Sequence, residues 1–375
     1  MNSVAFLTYD MPQTPERLRE ITVADLPALA RGCAVLGTGG GGEVESGALI
    51  ALSALEKHGP VPLVTLDELP DDGLVLPLGG IGAPTVGHEM IHGIHEAYLM
   101  REAIEEALGA TAVAVMSSEI GGGNGVVPVA LAAQLGLPLV DGDEMGRAFP
   151  EVQMVSTNVA GLPIEIIGLV DVIGNVTILR PTDWEWAETI SRMVSVAAGS
   201  YALMADNVIS AGRMRGAIIE GTVSQAIRIG RVTEGAADPV AALVGELGAA
   251  KLITGKVVEV ERRTGGGFVR GSVVIDGIGD DVNRIVRLEI QNENLVAFED
   301  GVVLASVPDL ITVVDMHTAG AIATELVRYG QRVSVLAWAC DPLWRTSRGL
   351  EVVGPQAFGY DLDYVPVEEA ARAFI

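Results

Sequence analysis

Residues 111–151 read TAVAVMSSEIGGGNGVVPVALAAQLGLPLVDGDEMGRAFPE and decide the fold class. The apolar, β-branched run Thr111–Met116 predicts a strand that is buried on both faces. A glycine-rich loop, Gly121–Gly125, follows it. The spacing of Pro128–Leu135 predicts a helix that holds the proline in its first turn. Pro138–Val140 then begins a second strand, and this order of elements is typical of a parallel α/β sheet.

Four polar side chains follow these two predicted strands. Glu119 and Asn124 come after the first strand, and Asp141 and Asp143 come at the end of the second. Because ligands bind at the carboxyl edge of parallel strands, we expect the four side chains to share one crevice. The structural alternative is that the glycines serve only a tight turn and that the acidic side chains are solvated.

Length and charge limit the kind of protein. A chain of 375 residues predicts two domains, and a hydrophobic content of 49% provides for a large core. A formal net charge of −25 argues against nucleic acid and membrane partners, because both require a basic surface. We therefore expect a small-molecule partner. The mean hydropathy of +0.40 favours buried subunit interfaces, and so a homo-oligomer.

The sequence predicts neither a membrane-spanning helix nor a secretory signal. No apolar run reaches the roughly 18 residues that a membrane-spanning helix needs. The first 20 residues lack the basic and apolar regions of a secretory signal. Cys33 and Cys340 lie far apart and form no disulfide framework. These features predict a cytoplasmic protein.

Two further glycine-rich loops resemble the loop Gly121–Gly125 in their position. The loop that comes first in the chain, Leu36–Glu43, we call the first glycine loop. It precedes an amphipathic helix at Val44–His58, which Gly59 and Pro60 terminate. A strand at Gly73–Leu78 ends in the loop Gly79–Pro84, and a long helix from Gly87 to Leu108 follows. We therefore expect the three glycine loops to lie at one edge of a single sheet.

The second half of the chain has a different pattern. Arg180–Trp186 combines a proline, charges and two tryptophans, and we place the boundary there, giving domains 1–180 and 181–375. Beyond it the sequence predicts helices at Trp186–Ala211 and Gly221–Ile229, alternating strands from Lys251 to Val307 with a hairpin at Gly265–Gly267, a strand at Leu310–Met316 and a helix at Thr318–Tyr329. This half is therefore a β-rich α/β domain.

Three histidines form a candidate metal site. His88, His92 and His95 fall on one face of a helix, and His88 and His92 with Glu89 match the HExxH pattern of zinc sites. A divalent metal such as zinc is the implied cofactor. The structural alternative is that the three side chains only cover a helix face.

Two other parts of the sequence allow alternative chemical interpretations. Leu36–Glu43 suggests phosphate binding at a helix N-terminus, but no Lys-Ser or Lys-Thr pair follows, and the nearby acidic residues repel phosphate.

Cys340 with His317 suggests a nucleophile and its base, although a lone cysteine after an apolar strand is more often a core residue. Asp315 and His317 are candidate ligand-binding residues of the second domain, with a helix cap at Thr318 as the alternative.

Six motifs resemble a known family. They are Leu36–Gly42, Gly82–Val86, Glu119–Asn124, Val140–Glu151, Glu325–Gly330 and Gly354–Asp361. Together they are similar to the family DUF917, also described as S-methyl thiohydantoin desulfurase-like and often labelled hydantoinase-like. Glu144 departs from the family's pattern, which has glycine or a similar residue there, and the three histidines belong to no family motif.

The resemblance implies an N-terminal, mostly parallel α/β domain and a β-rich second domain of swivelling β/β/α character. It also implies hydrolysis of a small cyclic amide or thioureide ring by water that a carboxylate or a metal activates. The alternatives are a non-catalytic small-molecule sensor and an ATP-dependent, hydantoinase-type enzyme.

We take Glu119, Asp141 and Asp143 as catalytic carboxylates, which would remove a proton from water. Glycine-loop amides would stabilise an oxyanion. The candidate substrate-binding residues are Thr38, Gly39, Gly40, Gly82, Asn124, Asp315 and His317.

Overall fold

The strands form two sheets within residues 17–82, 86, 95–265 and 268–370, which the computed structural model describes. The first sheet contains β1 (Glu20–Ile21), β2 (Val61–Val64), β3 (Leu74–Gly82), β4 (Ala112–Ser117), β5 (Leu139–Asp143), β6 (Ile167–Val170), β7 (Val176–Leu179), β8 (Tyr201–Ala205), β9 (Ile209–Ser210) and β10 (Ile219–Glu220). The second contains β11 (Ala250–Gly265), β12 (Phe268–Gly277), β13 (Ile285–Gln291), β14 (Glu293–Glu299), β15 (Val302–Ser306), β16 (Leu310–Asp315) and β17 (Arg332–Trp338).

The described helices surround these sheets. They are α1 (Leu26–Leu36), α2 (Val44–His58), α3 (Glu96–Leu108), α4 (Gly123–Leu135), α5 (Ser156–Val159), α6 (Trp184–Ala197), α7 (Ala211–Met214), α8 (Thr222–Val232), α9 (Pro239–Leu247), α10 (Ser347–Val353) and α11 (Val367–Ala370). Short 3₁₀ helices lie at Val23–Asp25, Leu66–Glu68, Gly279–Asp281, Pro342–Arg345 and Pro355–Phe358. Of the helices in the described ranges, none combines the length and apolar character needed to cross a bilayer.

The first sheet has a parallel centre. Its strands β2, β5, β4 and β3 lie side by side and run parallel, and β8, β6 and β7 extend the sheet with antiparallel pairing. The central strand β4 is buried along almost its whole length, as its apolar sequence predicts. The second sheet is antiparallel throughout, with the predicted hairpin joining β11 to β12. These features confirm the α/β class with a β-rich second half.

The chain returns to the first sheet after the predicted domain boundary near residue 180. Strands β8 and β9 pair with β3, and β10 pairs with β5. Helix α8 then packs against α1 so closely that a Cβ atom on Gly32 would lie 1.8 Å from the carbonyl oxygen of Ala226. Residues 201–232 therefore belong structurally with the first sheet.

Two predictions around the glycine segments are wrong. Gly79–Gly82 is not a loop, because its residues pair with β8 and extend β3 as far as Gly82. Helix α4 begins at Gly123, five residues before Pro128, so the proline lies beyond the first turn. The early start is stabilised by contacts of the α4 N-terminus with the first glycine loop.

Two predicted helices in the second half are also wrong. The helix predicted from Trp186 to Ala211 ends at Ala197, since Gly199 and Ser200 adopt positive φ values and the chain then pairs as β8. Thr318–Tyr329 forms turns instead of a helix. Its residue Thr324 is held by hydrogen bonds to the first glycine loop.

Candidate functional site

Two glycine-rich turns pack backbone against backbone beside the parallel strands. The amides of Gly123 and Asn124, which open α4, donate to the carbonyl oxygens of Gly42 and Gly41 over 3.0 and 3.1 Å. A Cβ atom on Gly41 would lie 2.2 Å from the carbonyl oxygen of Gly121. Glycine is therefore required here by the close approach of the two chains.

The side chain of Asn124 joins these turns to the end of β3. Its Oδ1 accepts a hydrogen bond from the amide of Gly80 at 2.7 Å, and its Nδ2 donates to the carbonyl oxygen of Gly80 at 3.3 Å. The three glycine segments lie around one cavity of about 130 Å³. Its wall includes Gly41, Gly42, Gly80, Gly82, Gly123 and Asn124.

Glu119 provides a buried carboxyl group in this wall. Its Oε1 accepts from Nδ2 of Asn124 at 2.6 Å, and its Oε2 accepts from the amide of Phe149 at 3.1 Å. Burial raises the pKa of Glu119 to about 8, although both N–H donors favour the ionised form. Glu119 is therefore a fixed carboxyl group that exchanges its proton near neutral pH.

Two more carboxyl groups reach the cavity from distant parts of the chain. Asp206 follows β8, and Glu293 begins β14 of the second sheet. They are 0% and 2% exposed. Among the described residues, neither Oδ2 of Asp206 nor Oε2 of Glu293 has a hydrogen-bond partner. Burial raises the pKa of Asp206 to about 7 and the pKa of Glu293 well above its usual value.

Asp143 lies behind the cavity wall. Its Oδ2 accepts from the backbone amides of Ile120, Met145 and Gly146 over 2.8, 3.0 and 2.8 Å. Burial raises the pKa of Asp143 to about 7 despite these donors. Asp143 does not line the cavity, and its hydrogen bonds fix the two turns that do.

Asp141 makes a structural contact away from the cavity. Its Oδ1 accepts from the amide of Ser224 at 3.0 Å, and its Oδ2 accepts from Oγ of Ser224 at 2.6 Å. Both carboxylate oxygens are thus occupied by the first turn of α8. Asp141 holds α8 against β5 and does not share the crevice with Glu119.

Thr38 and Gly39 contact the second half of the chain instead of the cavity. The carbonyl oxygen of Thr38 accepts from the backbone and side-chain amides of Asn294, both at 2.8 Å. The carbonyl oxygen of Gly39 accepts from the amide of Thr324 at 2.8 Å. These two predicted ligand-binding residues therefore join the first glycine loop to the second sheet.

Gly40 lies directly against Glu293. A Cβ atom on Gly40 would be 1.9 Å from Oε1 of Glu293, so the absence of a side chain makes room for the carboxyl group. Gly40 thus acts on the site through Glu293 and is not itself in the described cavity wall.

Asp315 and His317 lie apart from the cavity. The Oδ1 atom of Asp315 accepts from the amides of His317 and Thr318 at 2.9 and 2.8 Å, which closes the turn after β16. His317 is exposed, whereas Cys340 is buried and burial raises the pKa of its thiol. The two do not form a nucleophile and base pair in this arrangement.

The histidine prediction lies largely outside the described residues. His88 and His92 fall there, and the exposed His95 precedes α3 without a side-chain capping bond. In the described ranges, no group of three histidine, cysteine, aspartate or glutamate side chains is arranged to hold a metal ion.

Sequence reasoning missed Asp206 and Glu293. Asp206 falls within a segment predicted to be helical, and Glu293 falls in a β-meander without a recognisable motif. The sequence feature that could have indicated Asp206 is the Asp-Asn pair that follows the apolar run Ala202–Ala205. No local signal indicates that Glu293 crosses to the first glycine loop.

This geometry defines an α/β protein with a second, antiparallel sheet and a small cavity lined by carboxyl groups from both sheets. The chain belongs to the S-Me-THD-like family, because the family's N-terminal domain matches residues 24–181 and its C-terminal domain matches residues 182–367. This match confirms the resemblance inferred from the motifs.

One solved structure extends the comparison of the fold. A crystal structure of a protein from Chromobacterium violaceum is similar, with a TM-score of 0.74 and 24% sequence identity. The similarity covers 93% of this chain and 99% of that chain. No curated protein matches the chain.

Proposed function

We propose that the protein hydrolyses a small five-membered ring of the S-methyl thiohydantoin type. The observation that carries the proposal is Glu119, a buried cavity carboxyl with a pKa near 8 and a fixed orientation. A general acid or base is most effective when its pKa lies near the working pH. The family match supports a thiohydantoin-related substrate.

The reaction is a displacement at the ring carbon that bears sulfur. The ionised form of Glu119 takes a proton from water while the water oxygen bonds to this carbon. The carbon–sulfur bond then breaks, and the sulfur leaves as methanethiol with the proton that Glu119 returns. The remaining proton of the water passes from the oxygen to the ring nitrogen. The products are hydantoin and methanethiol, and one water is consumed.

The first glycine loop supplies hydrogen-bond donors for the ring. Within the described residues, the amides of Gly41 and Gly42 have no acceptor, and both residues line the cavity. Such amides suit a ring carbonyl oxygen or a developing negative charge. Asn124 is a positioning residue, because its side chain is occupied by Gly80 and Glu119.

The charge of the wall disfavours a nucleotide, and with it an ATP-dependent reaction. Glu43 caps α2 beside the cavity, and hydrogen bonds from the amides of Glu45 and Ser46 lower its pKa to about 2 in spite of its partial burial. A permanent negative charge at this position repels phosphate.

The test is turnover of S-methyl thiohydantoin by the purified protein without ATP, with methanethiol measured by a thiol reagent and hydantoin by chromatography. We expect E119Q to lower kcat by roughly 100-fold or more, in line with the loss of a general base. E102Q, which changes an exposed carboxyl on α3, is the matched control and should retain full activity.

The pH profile provides a second readout. At saturating substrate, kcat should rise with pH and level off above about 8, since the ionised form of Glu119 is the active one. No thiol release by the wild-type protein would overturn the proposal. If the ring binds without turnover, the protein is a binding module instead.

A further inference from the structure

The cavity wall carries an excess of acidic groups. Its described carboxyl side chains are Glu43, Glu119, Glu151, Asp206 and Glu293. Among the described lining residues the basic side chain is Arg192, and its guanidinium is already paired with Glu188 at 2.7 Å. The cavity therefore suits a ligand that brings positive charge or many N–H donors.

Two of these carboxyl groups have acceptor capacity that the described part of the protein leaves unused. Oδ2 of Asp206 and Oε2 of Glu293 are buried and lack a hydrogen-bond partner there. They come from different sheets, so their convergence on one cavity is a product of the tertiary fold. A buried carboxylate without a partner is costly, and a cationic ligand would remove that cost.

We propose, resting on the function proposed above, that the cavity binds its ring substrate as a protonated amidinium-type cation held by Glu293 and Asp206. The N–C–N unit of an S-methyl thiohydantoin accepts a proton on nitrogen, and the protonated carboxyl of Glu293 or Asp206 supplies it and becomes ionised. In the protonated form its N–H groups point outward, which matches carboxylates because these are acceptors only. The positive charge also makes the sulfur-bearing carbon a better target for water.

This arrangement couples ligand binding to proton release. The charged groups that face the two carboxyls are Glu119, Arg147 and Glu325 around Glu293, and Glu144 and Glu188 around Asp206. Most are acidic, so without ligand both carboxyls retain their protons more strongly than usual. A bound cation favours the ionised forms, and protons then leave the protein.

The direct test uses two rings of similar size in isothermal titration calorimetry. The cation is 2-amino-2-imidazoline, a cyclic guanidine with an amine in place of the thiomethyl group, and the neutral control is imidazolidin-2-one. We expect the cation to bind at least tenfold more tightly at pH 7. Titrations in two buffers of different ionisation enthalpy should show proton release for the cation alone.

The variants E293Q and D206N assign the effect to the two carboxyls. Each should lower affinity for the cation at least tenfold and leave the neutral ring within threefold, whereas E102Q should change neither. Circular dichroism verifies that the variants fold. The comparison of the two rings with the wild-type protein does not depend on any variant. Equal affinity for both rings, binding of neither ring, or unchanged cation binding in both folded variants would overturn the inference.

These outcomes are separate from the test of the hydrolase. Thiol release without a preference for the cation leaves the proposed function in place and removes this inference. A preference for the cation that depends on Glu293 and Asp206, without thiol release, supports the binding mode and removes the hydrolase.

Discussion

Nδ2 of Asn124 donates to Oε1 of Glu119 at 2.6 Å, while Oδ1 of the same asparagine accepts from the backbone of β3. One side chain thus links the glycine turn, the sheet edge and the buried carboxyl. Because its amide oxygen is occupied by Gly80, the orientation of the amide group is fixed, and the NH₂ group must face Glu119. Asn124 therefore favours the ionised form of Glu119.

Replacing Asn124 with alanine should raise the pKa of Glu119. Hydrogen bonds to charged groups contribute about 1.5–3 kcal/mol, which corresponds to roughly 1–2 pKa units. The rate at pH 7 should therefore fall roughly 10- to 100-fold, and the rise of the pH–rate profile should move to higher pH. Measurement of kcat across pH 6–10 checks this.

The control is N175A, which removes an amide–carboxylate contact of the same kind to Asp171 at 2.7 Å beside β7. It should leave the pH profile in place. If N124A lowers the rate equally at all pH values, Asn124 does not act through the pKa of Glu119.

A second prediction concerns Arg147, which joins the halves of the chain. Its buried guanidinium donates to the carbonyl oxygens of Pro308 and Asp309 at 2.8 and 3.0 Å, and to Oγ1 of Thr38 at 2.8 Å. R147M leaves these acceptors buried without donors. We expect it to lower the free energy of unfolding by about 3–5 kcal/mol, as for other broken buried polar networks.

Urea denaturation measures this effect. R213A, which breaks an exposed ion pair with Glu165, should cost less than about 1 kcal/mol. If R147M lowers the free energy of unfolding as little as R213A does, other contacts hold the two halves together. One such contact is the edge-to-face pair of Phe149 and Trp344, whose ring centroids lie 5.1 Å apart.

A third prediction tests the contact between Gly40 and Glu293. The methyl group in G40A would displace the Glu293 carboxyl, because Gly40 has no left-handed φ and the clash is with the side chain. We expect the preference for a cationic ring to be lost, with a decrease in stability of about 1–3 kcal/mol from overpacking. Calorimetric titration and urea denaturation measure the two effects.

G245A is the matched control, since a Cβ atom at this helical position in α9 meets no neighbouring atom within 4 Å. It should preserve the preference and raise the stability slightly, by up to about 1 kcal/mol, because alanine favours a helix more than glycine does. Retention of the cation preference in folded G40A would mean that Glu293 does not hold the ligand.

Elements with complete local signals were predictable from the sequence. Helix α2 runs from Val44 to His58 as predicted, because Glu43 caps its first turn and Gly59 ends it. Strand β4 and the hairpin between β11 and β12 were predicted for similar reasons. In each case the residues that determine the element lie within or beside it.

Elements that depend on distant partners were not predictable in this way. Gly79–Gly82 reads as a loop, and it is a strand only because β8 pairs with it from residues 201–205. Glu119 and Asn124 share a cavity wall as expected, since they lie on one turn. Asp206 and Glu293 reach the same cavity through long-range packing that no local pattern encodes.

The last prediction is that Asp206 makes stability depend on pH. Burial raises the pKa of Asp206 to about 7, whereas an unfolded aspartate titrates near about 3.9. Between these values the folded state keeps a proton that the unfolded state releases, so stability falls as pH rises, by up to about 1.4 kcal/mol per pH unit.

D206N cannot titrate, and its unfolding free energy, measured by urea denaturation from pH 4 to 8, should therefore fall less steeply. D280N, which alters an exposed aspartate, should follow the wild-type slope. Parallel curves for D206N and the wild type would mean that Asp206 is already ionised in the folded protein at neutral pH.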